Sequence, residues 1–301
     1  MTDSQTYHFP ATDDPSASVF ARVSSSQAGW NYLNMVALRL EAEKTFGITI
    51  DDYEYLAVVL GGVCDIRTNR GDFLDIGRRP DVFTGMPYAI YMPRNTEFEI
   101  EALTDDFAMA SFWASTDQDH ALKLITPKDS KVQVHGGGSA TFQVNTIIEP
   151  GFDCHRLTAR EIYTPGGNWA HYPPHKHDTH TEANGNLTEG TLEEVFFYKL
   201  DKPNGFAVQR LYTDEGDANP IDETITAKHN DVVIVPRGYH SMASAHGFTT
   251  YTLNVTAGSA QSLAHSVDPR LAWIPQTWTG KDPRLPMVTH GMEPYEPPQN
   301  S

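Results

Sequence analysis

The chain is predicted to be all-β, built as barrels or sandwiches, on three observations. Short segments rich in β-branched and aromatic residues follow one another, separated by Gly, Pro, Asn or Asp about every ten residues. Amphipathic helical periodicity is scarce. The two halves also echo each other, as a duplicated β-unit would. Residues 1–25, polar and rich in Ser, Asp and Pro, read as an arm or loose edge, and Gly29–Ala42 as strand or helix. From Tyr53 the strand signals are clear: YEYLAVVLGGVCDIR, a Gly-Asp turn, DFLDIG, VFTGMPYAIYMPRNTEFEIEA and DDFAMASFWAS. Lys128–Ala140, with its triple glycine, reads as a linker. Then come FQVNTII, RLTAREIYT, a His-rich stretch from Pro165 to Lys199, FAVQRLYT, DETITAKHNDVVIVPRGYH and TTYTLNVTAG. From Asp268 a Pro- and Trp-rich tail is expected to pack over the barrel.

The echo is clearest where Tyr91-Met92-Pro93-Arg94-Asn95-Thr96-Glu97 aligns without a gap with Ile234-Val235-Pro236-Arg237-Gly238-Tyr239-His240. Each is an apolar strand ending in Pro-Arg and a turn residue, and Glu97 stands where His240 does. No histidine occurs between His8 and His120. The first half therefore has no imidazoles for a His-rich site. Residues 1–135 are expected to be scaffold, and residues 136–301 to carry the chemistry.

Composition narrows the class. A net charge of −17, from 39 acids against 22 Lys plus Arg, disfavours nucleic acid and anionic membrane surfaces, which need basic patches. It suits a protein handling small molecules, and an acidic substrate would then need a local cation. Two cysteines, Cys64 and Cys154, imply no disulfide framework. The N-terminal residues lack the basic start and apolar run of a signal peptide. No stretch approaches the ~18 apolar residues of a membrane span. A cytoplasmic protein is expected. The aromatic edges of an open antiparallel barrel suggest self-association into a homo-oligomer.

The chemistry-bearing stretch is PGGNWAHYPPHKHD, followed by acids and the aromatic run LEEVFFYK. Side chains at i and i+2 of a strand share a face, so His175 and His177 aim two imidazoles at one point. An acid opening the aromatic strand and a His after the Pro-Arg-Gly turn complete a set of metal-ligand types. In a chain with 13 histidines a His-x-His pair alone means little. The joint arrangement in one half, in this order, carries the reading.

That order resembles the cupin superfamily, whose two motifs bring two His, a Glu and a third His together inside a double-stranded β-helix to bind a divalent metal. Here residues Thr179–Gly190 are inserted between the His pair and the acid, and the second motif is one residue short between Gly238 and His240. GGNW-x-x-YPPHKHD, LEE followed by aromatics, GF-x-x-QR-x-YT and DVV-x-VPRGYH together resemble the 5-deoxy-glucuronate isomerase family and, more distantly, the 4-deoxy-uronate isomerases. The resemblance covers most of residues 50–287. It implies a bicupin of two jelly-roll barrels, the N-terminal one degenerate and without a metal site. It further implies an aldose–ketose isomerase of a sugar acid in inositol breakdown, with one divalent metal (Zn, Mn, Fe or Ni, with Zn or Mn favoured) held by His175, His177, Glu194 and His240. Family members carry two small residues after GNW, where this chain has Ala170-His171.

Strand parity bears on the carboxylate. With Glu194 inward, Phe196 and Tyr198 line an aromatic wall; with Glu193 inward, Lys199 would point at the metal at a desolvation cost. Glu194 is preferred and Glu193 is the fallback. An isomerase needs a base that moves a proton between neighbouring carbons and a cation for the developing enediolate charge. Base candidates on the surrounding strands are Glu161, Tyr163, His171, Tyr239 and Tyr251. Tyr163 and Tyr198 are candidates for contacting substrate. Arg210 and Arg237 are candidates for binding its carboxylate through bidentate guanidinium geometry, since parity turns Lys176 away from the His pair. Three rival readings are an Fe(II) dioxygenase, which uses the same four ligands, an isomerase of another uronate, and a non-catalytic sugar-binding cupin.

Overall fold

The computed structural model describes residues 6–292. Among them the elements are strands apart from one four-residue helix, Ser25–Ala28, and three 3-10 turns. Strands from Val19–Val23 to Lys123–Ile125 form one curled nine-stranded sheet. Its axis is the long strand Tyr53–Thr68. Up to Gly61 this strand pairs with Ala89–Met92 and Phe107–Ser115; from Gly62 onward it pairs with Phe73–Arg79 and Thr96–Ala102. The corner falls at Gly62, whose φ of +77° and close approach to the Phe107 backbone leave no room for a Cβ.

The second unit has two sheets. One is seven-stranded and places Leu192–Leu200 between Val232–Val235 and Thr250–Gly258, followed by Thr158–Thr164, Phe142–Ile148 and Lys131–His135. The other is five-stranded, with Trp169–Lys176 and Tyr239–Ser244 at its centre. The expected linker is thus corrected. Lys131–His135 is a strand hydrogen-bonded to Phe142–Ile148, because Val132 and Val134 alternate with polar residues and supply a half-buried face. The second sheet therefore begins ahead of residue 136. The expected N-terminal arm is also a structural part. His8–Phe9 adds a strand to Val232–Val235 of the second unit, fixed by His8 Nε2 on Asp231 at 2.8 Å. Gly29–Ala42 resolves to the strand Asn34–Leu40.

Two reciprocal clasps join the units. Glu54 of the first accepts the backbone N–H groups of His155 and Arg156 at 2.8 and 2.7 Å. Glu193 of the second accepts those of Asn31, Tyr32 and Leu33 at 2.6, 2.9 and 2.8 Å. Strand registers extend the equivalence. Glu194 lies opposite Val235 and Thr256, as Tyr55 lies opposite Met92 and Trp113. Tyr55 thus occupies the place of Glu194, and its ring packs 5.3 Å from Phe98 and 5.9 Å from Trp113. The interior of the first barrel is filled with apolar side chains where the second holds polar ones.

Between the units runs a shared core that includes Leu56, Val58, Tyr91, Val195, Phe197 and Val255. This explains why Leu192–Leu200 reads as a continuous apolar run. Its outward side chains Val195 and Phe197 meet the other unit, and its inward side chains Phe196 and Tyr198 belong to the interior of the second barrel.

Candidate metal centre

The site forms where the two sheets of the second barrel face each other. Glu194 comes from the centre of the seven-stranded sheet. His175 and His240 sit directly opposite each other on neighbouring strands of the five-stranded sheet, with ring centroids 4.5 Å apart. His177 stands one residue past the end of Trp169–Lys176. Pairing on this strand is irregular. Ala170 opposes Met242 and His175 opposes His240, so five steps on one side match two on the other. The three extra residues bulge, and His171, at φ +54°, is carried into the site.

The Glu194 carboxylate is the hub. Its Oε2 lies 2.9 Å from His177 Nε2 and 2.9 Å from His240 Nε2, and its Oε1 accepts from Asn254 Nδ2 at 2.6 Å. His177 Nδ1 donates to the Leu192 carbonyl at 3.0 Å, and His240 Nδ1 to the Gly238 carbonyl at 3.1 Å. Since carbonyls only accept, these bonds turn the Nε2 lone pair of each neutral ring toward the carboxylate. Two lone-pair atoms facing a carboxylate at 2.9 Å need a cation between them, either a proton or a metal ion. Burial alone would lower His177, but its hydrogen bond to Glu194 outweighs that and raises it. Burial alone would raise Glu194, but His240 and His177 hold it well below the usual carboxylate range. His240 Nε2 is buried, and though it lies 2.9 Å from the Glu194 carboxylate it makes no well-aligned hydrogen bond to it.

These residues fit a divalent metal. His177, Glu194 and His240 present ligand atoms within 4.8 Å of one another, and so do His171, His175 and His240. The two groups share His240. Burial holds His175 well below, and His171 at about 3, so both imidazoles are neutral lone-pair donors. Together they offer four imidazoles and one carboxylate, a mixed N and O set that suits Zn, Mn, Fe or Ni.

The centre opens into a cavity of about 520 Å³. His175, His177 and Glu194 line its base, Arg160 and His171 its walls, and Trp278 of the C-terminal segment its rim. Glu193 points the other way into its interdomain clasp, which separates the roles of the two adjacent glutamates.

Several expected residues lie elsewhere. Glu161, Tyr163 and Tyr251 sit on the opposite face of the sheet. There Glu161 binds Arg79 of the first unit at 2.7 Å and accepts from the Tyr163 and Tyr251 hydroxyls at 3.0 and 2.9 Å. The physical reason is parity: Thr158–Thr164 turns Arg160 and Ile162 toward the cavity, which sends Glu161 and Tyr163 into the core between units. Tyr239, next to inward His240, faces outward against Tyr212 and under the Lys176 ammonium. Arg210 is paired with Asp222 and the Glu223 carbonyl, and Arg237 with Asp217 and the Asn219 carbonyl. Both are surface ion pairs. Tyr198 shares Glu194's face but lies deeper, bonded to Gln209. Of the nine residues expected as catalytic, substrate-contacting or fallback ligand, the cavity wall receives His171.

The expectation missed Arg160, Asn254 and His265. His265 lies with its ring 4.5 Å from His175. Asn254 and Arg160 are cross-strand partners, and that pairing was the signal that a single sequence did not supply.

Comparison with known proteins places this geometry. Residues 7–274 match the KduI/IolB family. The 5-deoxy-glucuronate isomerase of Geobacillus thermodenitrificans is 35% identical over 254 residues, covering 84% of this chain and 90% of that protein. The enzyme of that name from Bacillus subtilis strain 168 is 34% identical over 256 residues, covering 84% and 91%. The crystal structure of an IolB-like protein from Salmonella typhimurium superposes with a TM-score of 0.83 at 30% identity, covering 89% of this chain and 99% of that one. A point mutant of Bacillus subtilis oxalate decarboxylase shares the fold, at a TM-score of 0.60 and 11% identity, covering 86% of this chain and 79% of that one. With its motifs, its cupin fold and a match across most of its length, the chain belongs to the KduI/IolB family.

Proposed function

We propose that this protein is a metal-dependent aldose–ketose isomerase that converts 5-deoxy-glucuronate to its 2-keto isomer, 2-deoxy-5-keto-gluconate, as a step of inositol breakdown. The observation that carries the reading is the buried Glu194 carboxylate with two imidazole Nε2 atoms at 2.9 Å, at the base of a cavity of sugar size, in a chain whose relatives bear that isomerase's name. A divalent cation held by His175, His177, Glu194 and His240 supplies Lewis-acid polarisation of the substrate's oxygens. The protein's own groups do the rest. The Leu192 and Gly238 carbonyls fix the tautomers of His177 and His240. Asn254 fixes the rotamer of Glu194. His171, neutral and with its Nε2 buried and unpartnered, is the group assigned to take the proton from the carbon beside the aldehyde and return it to its neighbour. The first barrel, in which no ligand group is found among the described residues, serves as scaffold.

The test is NMR of 5-deoxy-glucuronate with metal-loaded protein under argon. Disappearance of the aldehyde signals and growth of a ketone without oxygen supports the isomerase. Turnover that requires oxygen and Fe(II) would replace it with a dioxygenase, and saturable binding without turnover would replace it with a sugar-binding cupin.

A further inference from the structure

The cavity contains one permanent cation of its own. Among its lining residues Arg160 is the sole lysine or arginine. Its side chain is 19% exposed, which keeps it reachable from the cavity. Its Nη2 donates to Asn254 Oδ1 at 2.6 Å, and its Nε is buried without a hydrogen-bond partner. The nearest carboxylate is Glu194, 4.0 Å away, but that charge is engaged by His177, His240 and Asn254. A guanidinium with spare donors at the edge of a low-dielectric cavity is unfavourable unless an anion completes it.

Asn254 links the two halves of the site. Its Nδ2 donates to Glu194 and its Oδ1 accepts from Arg160, so one amide fixes the guanidinium relative to the metal ligands. The planar fork is suited to a carboxylate, which it can bind with two parallel hydrogen bonds. We infer that Arg160, oriented by Asn254, receives the carboxylate of the substrate and selects sugar acids over neutral sugars. This inference rests on the isomerase reading for the identity of the substrate, but not for the presence of an anion site.

The experiment uses the metal-loaded full chain as wild type, Arg160→Lys and Arg160→Gln. Metal content is measured for each, with 5-deoxy-glucuronate and uncharged 5-deoxyglucose as substrates. The expected result for Arg160→Gln is a KM for the acid raised about 30-fold or more, on the scale of losing one charged partner, with kcat changed less than about 3-fold. Arg160→Lys falls between. KM for the neutral sugar does not move. Equal changes for both sugars, no change, or loss of metal from Arg160→Gln would each overturn the inference, the last by making Arg160 a support for Glu194. Calorimetric binding of D-glucuronate against D-glucose runs in parallel. If wild type turns over no 5-deoxy-glucuronate, the isomerase reading fails. A glucuronate preference that disappears in Arg160→Gln would still establish the anion site, and an unchanged preference would refute it.

Discussion

Adjacent glutamates with opposite duties offer a sharp prediction. Glu193→Gln should cost stability and leave metal binding intact, while Glu194→Gln should do the reverse. Glu193 accepts three backbone N–H bonds from the first unit at 2.6–2.9 Å. Burial nevertheless raises its pKa, with the N–H bonds and Arg156 opposing that rise. The ionised form therefore gains less than three charge-assisted bonds would suggest. An amide keeps one acceptor oxygen, so the expected loss is about 1–2 kcal/mol, toward the low end for a buried hydrogen bond to a charge. For a chain of this size that is roughly 2–3 °C in the melting temperature. Glu193→Ala orphans all three donors and should cost about 3–5 kcal/mol. Glu194→Gln removes the anionic ligand, and metal affinity should fall at least about 100-fold, beyond what loss of a supporting partner costs. Thermal melts with and without chelator, together with metal stoichiometry, measure both effects. A metal-free Glu193→Gln beside a fully loaded Glu194→Gln would show that the ligand had been assigned to the wrong glutamate.

Three further outcomes follow from the geometry. His171→Ala should lower kcat by about 10²–10⁴ with metal content unchanged; loss of metal would instead make His171 a ligand, through the group it forms with His175 and His240. Glu161→Gln breaks the buried pair with Arg79 and should destabilise by about 3–5 kcal/mol, while the folded enzyme keeps kcat within about 3-fold; a loss of 100-fold would return Glu161 to the catalytic machinery. Burial, helped by Arg79 and Arg39, lowers Lys199 from 10.5 to about 8. Unfolding therefore takes up a proton between those pH values, and stability should rise with pH across that window by up to roughly 3 kcal/mol. Lys199→Met should flatten that slope in urea titrations from pH 7.5 to 9.5, and an unchanged slope would contradict the assignment.

The clustered residues were legible because each lies in a local pattern. His-x-His is a strand-parity statement, Glu194 opens an aromatic run, and His240 follows a Pro-Arg-Gly turn. The all-β class was legible from the same periodicity. The rest of the site depends on which face of each neighbouring strand turns inward, and parity there was hidden. Thr158–Thr164 and Thr250–Gly258 are buried on both faces, so no polar and apolar alternation marked Arg160 and Asn254 as inward and Glu161 and Tyr251 as outward. A buried Glu-Tyr-Tyr cluster resembles catalytic machinery in a list of residues. In space it is the partner of Arg79, a residue 82 positions away. Arg210 and Arg237 pair with Asp222 and Asp217 away from the cavity lining, and those acids become neighbours only once the strands and loops are in place. The strand Lys131–His135 was obscured by the glycines that follow it.

The measurement that tests the account most directly is reconstitution. The protein is stripped of metal with a chelator, and 5-deoxy-glucuronate is followed by NMR in deuterium oxide before and after one equivalent of Zn or Mn is added, with His175→Ala beside it. The account predicts no ketone from the stripped protein, recovery at one equivalent, and none from His175→Ala. Ketone formation at the wild-type rate by the stripped protein or by His175→Ala would contradict it.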